Sequence, residues 1–162
     1  MAYDDSELRG IGGWLAFLIV VLAVFTPIRI VLETVGLYAD PQIASAFGPR
    51  WPAVQAAEIA ISAIAMIGAW FVAWRLNKVH NWQTIRIAIA GLWLLALGST
   101  VLEYAAISLI GGIPIGALFE GSAMDVVRAL VFASAWTAYL LRSRRVANTY
   151  SEPEEAIGDV FA

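Results

Sequence analysis

The sequence predicts an all-α polytopic membrane protein in which four transmembrane helices form an antiparallel bundle. Hydrophobic residues make up 60% of the 162 residues, charged residues only 14%, and the mean hydropathy is +0.76. Soluble domains average roughly 45–50% apolar and about 25% charged residues. Four apolar runs each reach the roughly 17–25 residues that a spanning helix needs. The chain therefore has room for one membrane domain and for little else.

The first two predicted spans run from about Trp14 to Val35 and from about Ala53 to Trp74. Prolines and a glycine fill the segment between them, residues 38–52. Because proline removes a backbone donor and interrupts a helix, we expect a loop in this segment that ends the first span and places Pro52 near the first turn of the next helix.

The third and fourth predicted spans run from about Ile87 to Ile110 and from about Met124 to Leu141. A short polar connection, residues 77–84, joins the second span to the third, and this predicts an antiparallel hairpin. Residues 111–121 are apolar and glycine-rich, so we expect this connection to lie in the membrane interface.

Basic residues indicate the orientation, because the cytoplasmic flanks of membrane spans retain Lys and Arg. If the chain crosses the membrane four times, both of its ends lie on the same side. Most of the basic residues outside the spans lie on that side as well, whereas Arg50 lies in a loop on the opposite side. We therefore expect both termini to be cytoplasmic. Residues 1–150 should form the four-helix transmembrane domain, and residues 151–162 an acidic cytoplasmic tail. The first residues are acidic rather than basic, which argues against a cleaved secretory signal.

Ionisable residues interrupt all four predicted spans, in the half away from the termini. They are Arg29, Glu33, Glu58, Glu103, Asp125 and Arg128. We estimate depth from a rise of about 1.5 Å per residue, counted from the midpoint of each span. One charged residue of each span then lies in the outer half of the membrane, roughly 5–11 Å from the midplane. These residues are Arg29, Glu58, Glu103 and Arg128. A charge at the bilayer centre costs about 2.5–3.5 kcal/mol, so these groups need partners, water or a functional role.

The spacing of the charges leaves two interpretations open. Arg29 can reach Glu33, and Arg128 can reach Asp125, because residues three or four apart share a helix face. Glu58 and Glu103 have no basic residue in their own spans. The set could be a polar clamp that holds the four helices together. It could also be an outward-facing pocket for a proton, an ion or a lipid head group.

A second candidate site joins the two ends of the predicted domain. Three glycines precede the first span, and their density indicates unusual backbone angles or close approach of another segment. Aromatic and hydroxyl side chains share one face at the end of the fourth span, so we expect the glycine-rich segment to dock there. The residues of this predicted contact are Gly10, Gly12, Gly13, Trp14, Trp136, Tyr139, Ser143 and Arg145.

Both ends of the chain resemble the family catalogued as domain of unknown function 2569. The resemblance lies in residues 8–15 and 136–150, together with Pro27, Glu58 and Arg128. It implies a small four-span protein of the bacterial inner membrane, with its termini inside the cell and no established activity. Tyr150 departs from the pattern, in which phenylalanine is expected.

The sequence offers no support for several classes of function. It contains no cysteine, so disulfides and thiolate metal sites are excluded. A net charge of −3 is too small to indicate a nucleic-acid partner. We find no paired nucleophile and base, no cluster of metal ligands and no phosphate-binding loop. We therefore expect no catalytic activity, no metal site and no cofactor.

The leading functional hypothesis is an accessory or assembly subunit of a larger membrane complex. Such a subunit would contact membrane lipids and either other membrane protein subunits or further copies of itself. The alternative is a small oligomeric transporter or lipid-binding protein that uses the charged pocket in the outer half of the membrane.

Overall fold

The computed structural model of the protein describes residues 10–150, apart from the side chains of residues 119–122. The predicted acidic tail, residues 151–162, lies outside the described residues, as do Leu8 and Arg9. Residues 10–150 contain helices and no β-strand. The predicted all-α membrane fold is confirmed, because four helices are long and apolar enough to span a membrane.

The four spans keep the predicted order and extend beyond several of the predicted ends. They are span 1 (Gly13–Ala39), span 2 (Pro41–Lys78), span 3 (Trp82–Gly111) and span 4 (Ala123–Arg142). A short helix, Arg144–Tyr150, follows span 4 and packs back against it. We call the end of the spans that holds Gly10 and Tyr150 the proximal end, and the opposite end the distal end.

Span 1 contains a π-helical segment that Pro27 explains. The span consists of Gly13–Val20, the π-helical Val21–Phe25 and Thr26–Ala39. Proline has no N–H to donate to the carbonyl four residues earlier, and its ring collides with that carbonyl. The carbonyl concerned belongs to Ala23, in the π-helical segment, and it accepts a hydrogen bond of 2.9 Å from the Trp70 indole of span 2. The group that proline leaves without a partner is thus satisfied by the neighbouring span.

The segment between Thr26–Ala39 and Trp51–Lys78 is helical, so the loop expected at residues 38–52 is wrong, whereas Pro52 stands in the first turn of Trp51–Lys78 as expected. Asp40 caps a short helix, Pro41–Phe47, by accepting a 2.8 Å hydrogen bond from the Gln42 N–H. A 3-10 turn, Gly48–Arg50, then leads into the long helix Trp51–Lys78. The prolines stand at first-turn positions, where a missing N–H costs little. Pro41 thus begins a helix where the sequence predicted that one ends.

The expected interfacial connection at residues 111–121 is also largely helical. Gly112 has a left-handed φ of +78° and ends span 3, and a helix then begins at Ile115 and continues to Arg142. The side chain of Arg50 donates a 3.3 Å hydrogen bond to the Gly111 carbonyl, at the C-terminal end of span 3. A cation at this end of a helix interacts favourably with the last carbonyls.

The apolar core lies at the proximal end. Its buried residues are Leu15, Leu18, Leu22, Val72, Ala73, Leu76, Ile85, Ala88, Leu92, Leu140, Val146 and Tyr150. All four spans and the Arg144–Tyr150 helix contribute to it. The proximal ends of the spans are therefore joined into one packed unit.

Packing becomes more open toward the distal end. Thr26–Ala39 of span 1 packs on span 2, span 2 packs on span 3, and span 3 packs on the helix of span 4. At the proximal end, the Trp14 and Trp136 rings lie 6.4 Å apart and bring span 1 to span 4. In the described residues we find no extensive packing of span 4 on Thr26–Ala39. The distal halves of spans 1 and 4 therefore keep much of their surface uncovered.

A pair of glycines at the interface of spans 2 and 3 provides a test of this packing. A methyl group on Gly91 would lie 2.5 Å from Val72 Cγ2, whereas one on Gly68 would meet Leu95 at an ordinary 3.9 Å. Because valine is stiff at χ1, Gly91→Ala should lower the free energy of unfolding by about 1–3 kcal/mol. Gly68→Ala should be neutral or stabilising by up to about 1 kcal/mol, since alanine is the better helix former. Reversible unfolding in mixed micelles measures both variants, and equal effects would contradict the proposed close approach.

Candidate functional site

The charges of span 1 form an ion pair within their own helix. Arg29 Nη1 donates to both carboxylate oxygens of Glu33, at 2.7 and 2.9 Å. Both side chains remain well exposed, at 62% for Arg29 and 60% for Glu33. The pair thus neutralises itself on one helix face, as its spacing of four residues allows.

The charges of span 4 form a second local pair. Arg128 Nη1 lies 3.0 Å from Asp125 Oδ1, and the two side chains are 74% and 72% exposed. No interaction connecting this pair to the charges of the other spans is found among the described side chains. The structure therefore does not bring all six charged residues into one cluster.

Glu58 and Glu103 lie on spans 2 and 3, whose helices pack on each other. Glu58 is only 9% exposed, and its Oε1 has no hydrogen-bond partner among the described residues. Its carboxyl is close enough to that of Glu103 for the two charges to repel each other. Glu103 is also within electrostatic range of Glu33 and Arg29. We call Glu58 and Glu103 the distal acidic pair.

Span 1 borders the distal acidic pair with polar side chains. Tyr38 lies within electrostatic range of Glu58 and donates a 3.3 Å hydrogen bond to the Gln55 carbonyl. One turn before it on the same helix, Thr34 Oγ1 lies 3.3 Å from Ser62 Oγ of span 2. Polar side chains of spans 1 and 2 therefore lie beside the distal acidic pair. The sequence pattern did not predict that Thr34 and Tyr38 belong to this region. The four-residue spacing of Thr34 and Tyr38 on the face toward span 2 is the signal that could have indicated them.

Other hydroxyls of span 3 are directed back to their own helix. Ser99 Oγ donates to the Leu95 carbonyl at 2.8 Å, and Thr100 Oγ1 donates to the Ala96 carbonyl at 3.3 Å. Both carbonyls lie in a second π-helical segment, Leu94–Gly98. These hydroxyls satisfy an irregular stretch of helix and do not extend the polar cluster.

The glycine-rich segment lies against the Arg144–Tyr150 helix. The Gly10 N–H donates to Thr149 Oγ1 at 3.0 Å. A methyl group on Gly12 would lie 2.8 Å from Arg145 Nη1, so the guanidinium occupies the space that the missing side chain leaves. Gly13 has a left-handed φ of +55°, which glycine adopts without strain.

Aromatic rings continue this contact from span 1 to span 4. Trp136 stacks edge-on against Tyr139, with ring centroids 5.7 Å apart, and it also contacts Trp14 and Phe17 of span 1. Ser143 interrupts the helix between span 4 and Arg144–Tyr150, and its Oγ accepts a 3.4 Å hydrogen bond from the Val146 N–H. The structure thus brings the eight residues of the predicted contact to one end of the molecule.

Tyr150 closes the proximal core. Its side chain is fully buried, and its hydroxyl donates a hydrogen bond to the Leu76 carbonyl in the last turns of span 2. Burial raises the pKa of this phenol from 10.0 to about 12, and the nearby Tyr139 adds to the shift. The last described residue of the chain is thereby tied to the centre of the domain.

The described residues offer few alternative sites. No group of three or more His, Asp or Glu residues among them is placed to hold a metal ion. A groove of about 400 Å³ runs along spans 2 and 3 and is lined almost entirely by apolar side chains, from Ile61 to Leu102. A ligand in this groove would find few polar groups with which to form hydrogen bonds. The distal acidic pair therefore remains the candidate site, because it places ionisable side chains in the interior of the described domain.

Comparison with known proteins confirms the family that both ends of the chain resemble. The family model described as "Protein of unknown function (DUF2569)" matches residues 8–151. No curated protein and no solved structure matches the chain.

The raised pKa of Tyr150 predicts a specific alkaline destabilisation. Below pH 10 the phenol is neutral in both the folded and the unfolded chain, so its hydrogen bond contributes fully. Between pH 10 and 12 the unfolded chain loses the phenol proton first, so stability should fall across this interval. Tyr150→Phe should cost about 1 kcal/mol below pH 10 and show a shallower decline above it. Unfolding measured from neutral to alkaline pH tests this, and identical slopes for both proteins would contradict it.

Proposed function

Because the chain belongs to the DUF2569 family of proteins of unknown function, we propose its role from its surface: a non-enzymatic accessory or assembly subunit of a larger membrane complex. We further propose that it resides in the cytoplasmic membrane of a bacterium with both termini on the cytoplasmic side. The distribution of arginine and lysine supports this orientation.

The exposed ion pairs of spans 1 and 4 carry the proposal. Arg29–Glu33 and Asp125–Arg128 are each at least 60% exposed, although they lie within helices apolar enough to cross a membrane. Charged groups inside a membrane face other protein or water rather than lipid, because hydrocarbon cannot solvate them. A partner helix with polar groups at the same depth would cover both pairs.

The weak burial of span 4 supports the same proposal. Only 11% of its most apolar stretch is buried within the protein, compared with 28% for span 1. Its exposed side chains include Met124, Val127 and Val131 on either side of the ion pair. A helix that packs so little on its own chain has a face free for another subunit.

A second candidate function is a small oligomeric transporter or lipid-binding protein. The observation that favours it is the position of Glu58 within electrostatic range of Glu103 and Tyr38, beside the contact of Thr34 with Ser62, in the distal half. Four helices are few for a monomeric carrier, so this function would require several copies of the chain to assemble.

Site-specific photo-crosslinking in cells distinguishes these functions. We expect a photoreactive amino acid at Leu32 or Val131, one turn from Arg29 and Arg128 respectively, to give an adduct of defined mass with another membrane protein. Ile64 is the matched control, because it is as exposed as Leu32, at 66%, but lines the apolar groove of spans 2 and 3. Adducts with this chain alone would favour the oligomeric transporter. Equal labelling from all three positions, or from none, would contradict the subunit proposal.

Reversing one ion pair tests whether its polarity is recognised. The double variant Arg29→Glu with Glu33→Arg keeps an ion pair of the same spacing, so the chain should fold and insert as before. The charges presented to a partner are inverted, and we expect the adduct from Leu32 to be lost. Native gels after mild detergent extraction should show the same loss of the larger species. Retention of the adduct in the reversed variant would show that the partner does not contact this pair.

A further inference from the structure

We propose that the apolar groove along spans 2 and 3 binds one acyl chain of an anionic phospholipid, whose phosphate lies among three cations at the proximal end of these spans. The cations are Arg75, Lys78 and Arg86. This site is separate from the distal acidic pair, and the proposal does not depend on a partner subunit.

The groove exists because small residues line it on both helices. Gly68 of span 2 and Gly91 and Gly98 of span 3 belong to its lining and contribute no side-chain volume. Ile64 and Leu94 also line it, and they are 66% and 68% exposed. Both helices are apolar enough to span a membrane, so this exposed surface meets hydrocarbon. An acyl chain is therefore the occupant that suits its lining.

The groove has about the length of one membrane leaflet. Its lining on span 2 extends from Ile61 to Val72, which is about 16 Å at a rise of about 1.5 Å per residue. Half of a hydrocarbon core of about 30 Å is about 15 Å. Trp74 and Trp82 follow the proximal end of the groove and are exposed, as is typical of tryptophan at the head-group level. The groove therefore ends at the depth where lipid phosphates lie.

The three cations lie on the helix faces that line the groove. Arg75 and Lys78 follow the groove residue Phe71 by four and seven residues. Arg86 precedes the groove residue Ala90 by four. Residues at these intervals share a helix face. The cations are thus one or two turns beyond the apolar lining, in the direction of the head groups.

These cations have no counter-charge among the described residues. Arg75 Nε is buried and has no hydrogen-bond partner there. The two ion pairs of the described residues involve other cations. Between Glu58 and Glu103 the sequence contains no acidic residue, so the hairpin that forms the groove carries three positive charges and no negative one. Basic pockets between membrane helices bind anionic head groups, and a phosphate supplies both the missing charge and the missing acceptor.

Lipid titration of the full chain in detergent, followed by native mass spectrometry, tests the proposal. The probes are phosphatidylglycerol and phosphatidylcholine with identical acyl chains. We expect each chain to retain one phosphatidylglycerol at a concentration several-fold lower than that required for phosphatidylcholine. Inorganic phosphate should not displace the lipid, because burial of the acyl chain contributes part of the affinity.

Charge variants test the three cations. Arg75→Gln and Arg86→Gln should each weaken the binding of phosphatidylglycerol about fivefold and leave that of phosphatidylcholine unchanged. Arg86 is exposed, so its replacement should not disturb the fold. Arg142→Gln is the matched control, because it removes one charge from the proximal end of span 4, which does not line the groove. It should leave the binding of both lipids unchanged.

A variant that fills the groove tests the acyl-chain site. A Cβ atom on Gly68 would meet only Leu95, at 3.9 Å, so Gly68→Leu should fold and place its side chain in the groove. Both lipids should then bind several-fold more weakly. Gly36→Leu is the matched control, because it adds the same side chain to span 1 at a position with no atom within 4 Å of the new Cβ. It should bind both lipids normally.

Several results would overturn the proposal. Equal affinity for the two lipids, or equal weakening by Arg142→Gln, would show that only the overall charge of the proximal end attracts lipid. Displacement by inorganic phosphate would reduce the site to one for small anions. Normal binding of both lipids by Gly68→Leu would show that the acyl chain does not occupy the groove.

Discussion

The absence of hydrogen-bond partners in hydrocarbon is the constraint on which the rest of this structure depends. Within a membrane, each polar group must be satisfied by the protein itself. Span 1 shows the consequence at Pro27, where the free Ala23 carbonyl is bound by the Trp70 indole. Span 3 shows it at Ser99, whose hydroxyl donates to a carbonyl of a π-helical segment. Most polar groups of the spans are thus closed locally, and the buried oxygen of Glu58 stands out as an exception.

The two ends of the domain differ in burial and in charge. At the proximal end, Leu15, Leu76 and Tyr150 are buried together, so both described ends of the chain are fixed to the same core. The distal half contains the ion pairs and the distal acidic pair, and little of span 4 as a whole is buried within the protein. The apolar core of the proximal end draws on all four spans, whereas the two ion pairs of the distal half stay exposed and bury little surface.

The sequence predicted the elements that depend on local spacing. The four apolar runs located the spans, and intervals of three and four residues predicted both ion pairs. The short helix Pro41–Phe47 was missed because a proline can begin a helix as readily as end one, and at Pro41 the capping by Asp40 favours a start. The proximity of Glu58 to Glu103 could not be derived either, because it depends on how spans 2 and 3 are rotated about their axes. That rotation follows from tertiary contacts such as Gly91 against Val72, which are remote in sequence.

The π-helical segment in span 1 also sets the direction in which the following residues point. Each residue of an α-helix turns the chain by about 100°, since 3.6 residues complete a turn. A π-helical turn contains an additional residue, so everything beyond Phe25 is rotated relative to an uninterrupted α-helix. Loss of one residue from Val21–Phe25 would convert this turn into an α-helical one and leave Arg29 and Glu33 facing nearly the same direction, because the shorter turn still completes about 360°. The π-helical segment can therefore absorb a single-residue deletion without redirecting the charged face of span 1, whereas a deletion between Thr26 and Ile28 would turn that face by about 100°.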